Sequence, residues 1–115
     1  MAIHEGNHRL DRVFFALSHP TRRAMVVRLA RGEASVAELN EAFKLSQPTI
    51  SKHLKVLEKA GVIEGSREAQ RRPRRLRAVA MRDAAEWMEP FRQLWERRLD
   101  RLEVHLKRKR KERSR

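Results

Sequence analysis

The sequence contains no cysteine and no tyrosine, and it has only four glycines and four prolines in 115 residues. The lack of cysteine excludes disulfides and thiolate metal sites, although it does not identify the compartment. So few glycines argue against a glycine-rich phosphate loop. The four phenylalanines and two tryptophans fit a core or a subunit interface, which leaves few exposed rings to stack on RNA bases.

Long apolar runs are also missing. The longest are short stretches such as residues 24–27, far below the ~20 residues of a membrane-spanning helix. The first residues, MAIHEGNHRLDR, lack the apolar core of a secretory signal. We therefore expect a cytoplasmic protein that does not enter a membrane.

What the sequence does have is positive charge. Its 28 lysines and arginines against 15 acidic residues give a formal charge of +13. A polyanionic partner is expected, with nucleic acid first and an anionic membrane surface second. Residues 67–77 and 107–115 together hold 13 of the 28 basic residues.

The apolar spacing predicts four helices in the first half of the chain. The first covers residues 10–17, and the second runs from Pro20 to about Arg31. A third, residues 35–43, starts with the capping-box pair Ser35 and Glu38. The fourth has Ser46 as its N-cap and reaches residue 60, before a glycine. The third and fourth helices form a helix-turn-helix.

The pattern then changes to that of strands. Residues 62–64 are short and mostly β-branched, and residues 75–80 alternate as a half-buried strand does. The arginine-rich stretch between them would be the tip of a two-stranded hairpin, a wing. The wing residues expected to contact DNA are Arg67, Arg71, Arg72, Arg74 and Arg75.

From Asp83 onward the chain is predicted to be helical, with Pro90 kinking or dividing the helix. It carries more large apolar side chains than a small body can cover, so a second copy is expected to cover them. The alternative is that both tryptophans pack within one monomer. The predicted dimer interface comprises Leu10, Val13, Phe14, Leu17, Trp87, Met88, Phe91, Leu94, Trp95, Leu99, Leu102 and Leu106.

On the fourth helix, Ile50, Leu54 and Leu57 share the core face, which turns a polar and cationic edge outward. Such an edge is typical of a helix that inserts into the major groove. The predicted DNA contacts are Ser46, Gln47, Pro48, Thr49, Ser51, Lys52, His53 and Lys55, although His53 is expected either to touch a phosphate or to pack under the recognition helix. Ser51 and His53 lie two residues apart and point to different sides, so they cannot act as nucleophile and base, and no enzyme is expected.

Residues 16–64 resemble the ArsR-type (arsenic-repressor-like) winged-helix regulators. The most specific motifs are LSHPTRR at residues 17–23 and LSQPTISKHLKVLEKAG at residues 45–61. Residues 87–106 resemble the last helix of one subgroup of that family. The resemblance implies a mainly α fold with a small β-hairpin wing, in the order of four helices, two strands and a fifth helix. It also implies a dimer built by the first and last helices, repression by occupying an operator, and DNA contacts at Gln47, Pro48, Ser51 and Lys52.

One motif departs from the family pattern. Metal-sensing relatives have ELCVCDL in the third helix, and this chain has EASVAEL, with Ser35 and Ala37 in place of the thiols. On the last helix, His105 converges poorly with Asp100 and Glu103. We therefore expect no metal and no cofactor.

The sequence thus predicts a homodimeric repressor of transcription that binds double-stranded DNA at a palindromic operator. Residues 1–106 would form the DNA-binding and dimerisation domain, and residues 107–115 a basic, disordered tail. An RNA-binding or ribosome-associated winged-helix module is the main alternative. A protein-interaction module, in which the last helix binds another chain, is a further one.

Overall fold

The computed structural model describes residues 8–65 and 73–114. These residues form five helices and two strands, in the order expected of a winged helix-turn-helix, and this confirms the predicted fold class. The elements are α1 (His8–Ala16), α2 (Pro20–Ala30), α3 (Val36–Phe43), α4 (Gln47–Lys59), β1 (Ile63–Gly65), β2 (Arg74–Leu76) and α5 (Ala78–Arg113). The described residues divide into two compact units, one ending at Ala84 and the other beginning at Ala85.

The junction between α1 and α2 is held by polar side chains. Pro20 begins α2, and the Nδ1 atom of His19 accepts a hydrogen bond from the Thr21 backbone N–H at 3.1 Å. The guanidinium groups of Arg22 and Arg23 donate to the carbonyls of residues 16 and 17, at 2.7 and 2.8 Å. These carbonyls end α1 and lack partners within the helix. The LSHPTRR motif therefore has a structural explanation, since it caps two helices at once.

The helix-turn-helix is also defined by its caps. Ser35 and Glu38 form the predicted capping box at the start of α3. The Lys44 backbone, which ends α3, is left-handed with φ of 53°. Gly61 is left-handed as well, with φ of 74°, and it follows the end of α4 as predicted. A tight turn thus separates α3 and α4.

The core lies among the first four helices, the wing and the start of α5. Its largest fully buried side chains come from every one of the first four helices and from the segment entering β1. Leu17, Val36, Phe43 and Leu76 pack against this core while remaining partly exposed. These largest fully buried side chains are Val13, Met25, Leu39, Ile50, Leu54, Leu57, Val62 and Ile63.

The wing differs from the prediction in its second strand. The hairpin is antiparallel, with Glu64 opposite Arg75, but β2 ends at Leu76 instead of residue 80. The Arg77 N–H donates to the carbonyl of Val62 at 2.8 Å, and α5 begins one residue later. The strand prediction for residues 77–80 was wrong because alanines at alternate positions fit a helix as well as a strand, and alanine is the best helix former.

The last helix is longer and more regular than a division at Pro90 would give. Of the two predicted effects of Pro90, a kink or a division, the division does not occur, because α5 continues across this residue. It also continues through the basic residues 107–113, which were expected to be disordered. Lysine and arginine are good helix formers, and Glu103 pairs with Lys107 one turn later at 3.2 Å. Neither charge nor composition therefore breaks the helix there.

The left-handed Lys44 gives a first prediction. A Cβ atom in this conformation is strained, so Lys44→Gly should raise the free energy of unfolding by about 0.5–1 kcal/mol. Urea titrations with an unchanged m-value would measure the gain. Lys44→Ala removes the same charge and keeps the Cβ atom, so it should give no such gain. Equal stabilisation by both substitutions would mean that charge, and not backbone strain, is the cause.

Candidate nucleic-acid interface

The rotation of α4 is set by its apolar side. Ile50, Leu54 and Leu57 are 0, 2 and 0% exposed. Gln47, Pro48, Lys52 and Lys55 are all exposed. The structure therefore has the polar, cationic edge that the helical spacing predicted. It is a continuous surface along one side of the helix, and we call it the α4 edge, comprising Gln47, Pro48, Ser51, Lys52 and Lys55.

The amino end of α4 is closely held. The Ser46 hydroxyl accepts a hydrogen bond from the Thr49 N–H at 3.3 Å and lies 2.8 Å from the Thr49 hydroxyl. These two predicted contact residues therefore have a capping role, which leaves Gln47 and Pro48 as the exposed residues of the first turn. The N-terminal end of a helix also carries partial positive charge, which suits a phosphate. Ser51 is half-buried beside this turn.

His53 needs a correction. It was predicted either to touch a DNA phosphate or to pack under the recognition helix, and the structure favours packing, because His53 is half-buried and its ring centroid lies 4.6 Å from that of His19. Burial lowers the pKa of His53, and the nearby His19 and Arg22 lower it further. We therefore assign His53 to the contact between α4 and the start of α2. Spacing could not show this contact, because the two histidines are far apart in the sequence.

The wing needs a correction as well. Arg74 forms an ion pair with Glu58 of α4, and its side chain is only 15% exposed. Arg74 therefore connects the wing to α4 and is not available for the DNA contact that was predicted. Arg75 is exposed and pairs with Glu64 across the hairpin at 2.7 Å. The predicted contacts Arg67, Arg71 and Arg72 lie outside the described residues.

A second surface is apolar. Most of the predicted interface residues of α5 are exposed, and Met88 is half-buried. Val13 is the exception in the set, because it is fully buried within the core and cannot contact another subunit. Exposed Phe15 and Val104 were not predicted, since neither falls on the expected apolar stripe. The exposed apolar residues of α5 are Trp87, Phe91, Leu94, Trp95, Leu99, Leu102, Val104 and Leu106.

The segment that corresponds to the metal-sensing motif has another role here. The Ser35 hydroxyl accepts from the Glu38 N–H at 3.1 Å, and Ala37 is exposed. Among residues 8–65 and 73–114, no three His, Asp or Glu side chains are grouped as a metal site would require. No helix in the same ranges is long and apolar enough to cross a bilayer.

These elements define the class of the protein: a winged helix-turn-helix with an exposed recognition helix. The family model for bacterial regulatory proteins of the arsR family matches residues 19–64. The chain is 35% identical over 82 residues to the transcriptional repressor SdpR of Bacillus subtilis, covering 71% of this chain and 91% of SdpR. It belongs to the ArsR family of transcriptional regulators. Several other curated relatives match over about half of their own length.

Solved structures agree with this assignment. The crystal structure of an ArsR family transcriptional regulator is similar with a TM-score of 0.68 and 34% identity, over 77% of this chain and 98% of that one. The homodimeric winged helix-turn-helix DNA-binding domain of Mb0332 from Mycobacterium bovis gives a TM-score of 0.60 and 26% identity, over 86% and 94%. The family confirms the prediction of a regulator and not an enzyme.

The histidine contact predicts a pH-dependent stability. Because the pKa of His53 is lowered in the folded protein, the unfolded chain binds the proton more readily. The contribution of His53 is complete above its ordinary pKa of 6.5 and is lost as the pH falls through the lower, folded value. The free energy of unfolding, measured with urea, should therefore be lower at pH 5 than at pH 7.5.

Two variants test this cause. His53→Asn should reduce the difference in unfolding free energy between the two pH values. The matched control, His105→Asn, changes an exposed histidine and should leave the difference as it is in the original protein. An undiminished difference in the His53 variant would assign the acid sensitivity to other groups.

Proposed function

We propose that this protein represses transcription as a homodimer that binds a palindromic site in double-stranded DNA. The observation that carries the proposal is the α4 edge, which is exposed because the opposite side of α4 is buried. The major groove is about 12 Å wide and admits an α-helix. In a helix-turn-helix, the second helix lies in this groove with its N-terminal residues at the base edges.

The side chains of the edge have different roles in this proposal. Gln47 is placed to bond an adenine with both its amide atoms, which reads the base. Ser51 contacts a base or a thymine methyl group. Lys52 and Lys55 lie further along the helix and bind phosphates, which adds affinity without sequence choice.

The wing extends the contact with the DNA backbone. Arg75 is exposed at the hairpin, and its positive charge is partly balanced by Glu64. Arg67, Arg71 and Arg72 fall in the connection between the two strands, and we propose that they bind phosphates or the minor groove. Arg74 is left out of this set because it is held by Glu58.

We further propose that the dimer forms through α5 together with α1. The exposed apolar side chains of α5 recur on one side of the helix, as in Phe91, Trp95, Leu99, Leu102 and Leu106. The domain of Mb0332 is homodimeric, which supports the same assembly here. A twofold axis would place two α4 edges in successive major grooves, about 34 Å apart, and so match a palindrome.

The proposed regulator works in the cytoplasm, where a bacterial chromosome is accessible, and without a bound metal. The chain has no cysteine, and the Ser35 hydroxyl that replaces a thiol is used in the capping box. Repression would therefore be relieved by a signal other than a thiolate-bound ion.

DNA binding is tested by variants that separate the recognition of a base pair from the overall affinity for DNA. Gln47→Ala should reduce the preference for the operator over random DNA by about 1–3 kcal/mol, because one base pair is no longer read. Lys52→Ala should weaken binding to both DNAs alike and reduce the salt slope by about one unit. Fluorescence anisotropy over several salt concentrations measures both effects.

The control for this experiment is Arg101→Ala, which removes a charge from an exposed position on α5 and should change neither quantity. Structured RNA is included as a competitor. If RNA displaces the operator as well as duplex DNA does, or if Gln47→Ala and Lys52→Ala behave alike on all sequences, then the proposal is wrong.

The dimer is tested by two matched substitutions on α5. Leu102 and Val104 are both exposed, but they point to opposite sides of the helix. Leu102→Asp should raise the dimer dissociation constant at least about a hundredfold, since each buried leucine contributes roughly 1.5–3 kcal/mol and the dimer has two. Val104→Asp should leave it nearly unchanged. Sedimentation equilibrium at micromolar concentration distinguishes them, and a monomeric original protein would contradict the proposed assembly.

A further inference from the structure

A cavity of about 370 Å³ lies among the start of α1, the end of α4 and the start of α5. Four cationic side chains line it, Arg9, Arg12, Lys59 and Arg77, and the rest of its lining comes from residues 60–61 and 79–80. No acidic residue belongs to the lining. We call this feature the cationic cavity. Its size falls within the range of small-molecule sites in proteins.

The positive charge of the cationic cavity is only partly balanced. Arg9 pairs with Asp83 at 2.9 Å. Arg77 lies 4.0 Å from a carboxylate oxygen of Glu64, which already pairs with Arg75. Within the part of the chain that the structure describes, Arg12 and Lys59 have no ion-pair partner. Asp83 and Glu64 are thus shared among Arg9, Arg75 and Arg77. Among the described residues, Arg12 and Lys59 have no carboxylate partner.

The end of α4 explains part of this arrangement. Arg77 lies over Gly61, where an added Cβ atom would be 3.9 Å from the guanidinium nitrogen Nη1. The carbonyl end of a helix carries partial negative charge, which favours Arg77 and Lys59 at this position. This partial charge does not explain the position of Arg12, which belongs to α1. Helix-end electrostatics therefore does not account for the convergence of cations from three elements.

The cationic cavity is distinct from the proposed DNA contacts. Gln47 and Lys59 are the first and last residues of α4, twelve positions apart, which corresponds to about 18 Å along the helix. The cavity is therefore at the opposite end of α4 from the residues that would read bases. An anion bound there would not compete with the base contacts for the same side chains.

We propose that the cationic cavity binds a small anion with two or more negative charges, of the phosphate or phosphorylated-metabolite class. Arginine presents a planar fork of donors that matches phosphate oxygens, and lysine adds a mobile cation. The bound anion would contact α1, α4 and α5 together. It would be an effector site attached to the recognition helix, a role that none of the DNA-contact assignments covers.

The test is a calorimetric titration with inorganic pyrophosphate at constant ionic strength. The double variant Arg12→Gln with Lys59→Gln should bind pyrophosphate at least about tenfold more weakly, because two charge-assisted contacts are lost. The matched control, Arg101→Gln with Lys109→Gln, removes the same charge from exposed positions on α5 and should change the affinity less than twofold. Both variants alter exposed side chains, and circular dichroism confirms that each is folded.

Three outcomes would overturn the proposal. The first is an absence of pyrophosphate binding by the original protein, and the second is an equal loss in the cavity variant and its control, which would mean attraction by net charge alone. The third outcome concerns random duplex DNA, titrated in parallel. If the cavity variant loses as much affinity for this DNA as for pyrophosphate, the cations belong to a nucleic-acid surface and not to a small-anion site.

Discussion

The burial of Ile50, Leu54 and Leu57 is the constraint on which the rest of this structure depends. Three side chains on one side of a helix fix its rotation about its own axis, and that rotation decides which residues face outward. A turn of α4 by one residue would exchange apolar for polar contacts in the core and hide part of the α4 edge. Packing energy is thus what holds the recognition surface in place, because the polar residues themselves make few contacts with the protein.

The caps make this arrangement specific. Ser46 ends the turn and starts α4 at a defined residue, while His19 starts α2 and places its ring against His53. Arg22 and Arg23 satisfy the carbonyls at the end of α1. Each of these side chains satisfies a backbone group at a helix end that has no partner within the helix. The motif residues therefore secure the geometry of the helices, and the proposed DNA contacts rely on it.

The first four helices, the caps at Ser35 and Ser46 and the α4 edge could be predicted because they depend on local periodicity and on neighbours three or four residues apart. The length of β2 could not, since Arg75, Arg77 and the alternating alanines suit a strand and a helix equally. The partners of Arg74 and His53 were also out of reach, because Glu58 and His19 meet them only through the tertiary fold. Spacing shows which side of a helix is polar, but long-range partners decide which polar groups remain available.

The attachment of β2 has a mechanical consequence. The backbone of Arg74 exchanges two hydrogen bonds with Ala34, just before α3, at 2.7 and 3.0 Å, while its side chain reaches Glu58 on α4. One residue of the hairpin is thereby fastened to both halves of the helix-turn-helix. In the proposed complex with DNA, these contacts connect the wing to α4, so a bent or widened duplex that deflects the hairpin would also shift α4, and groove shape would be coupled to base recognition.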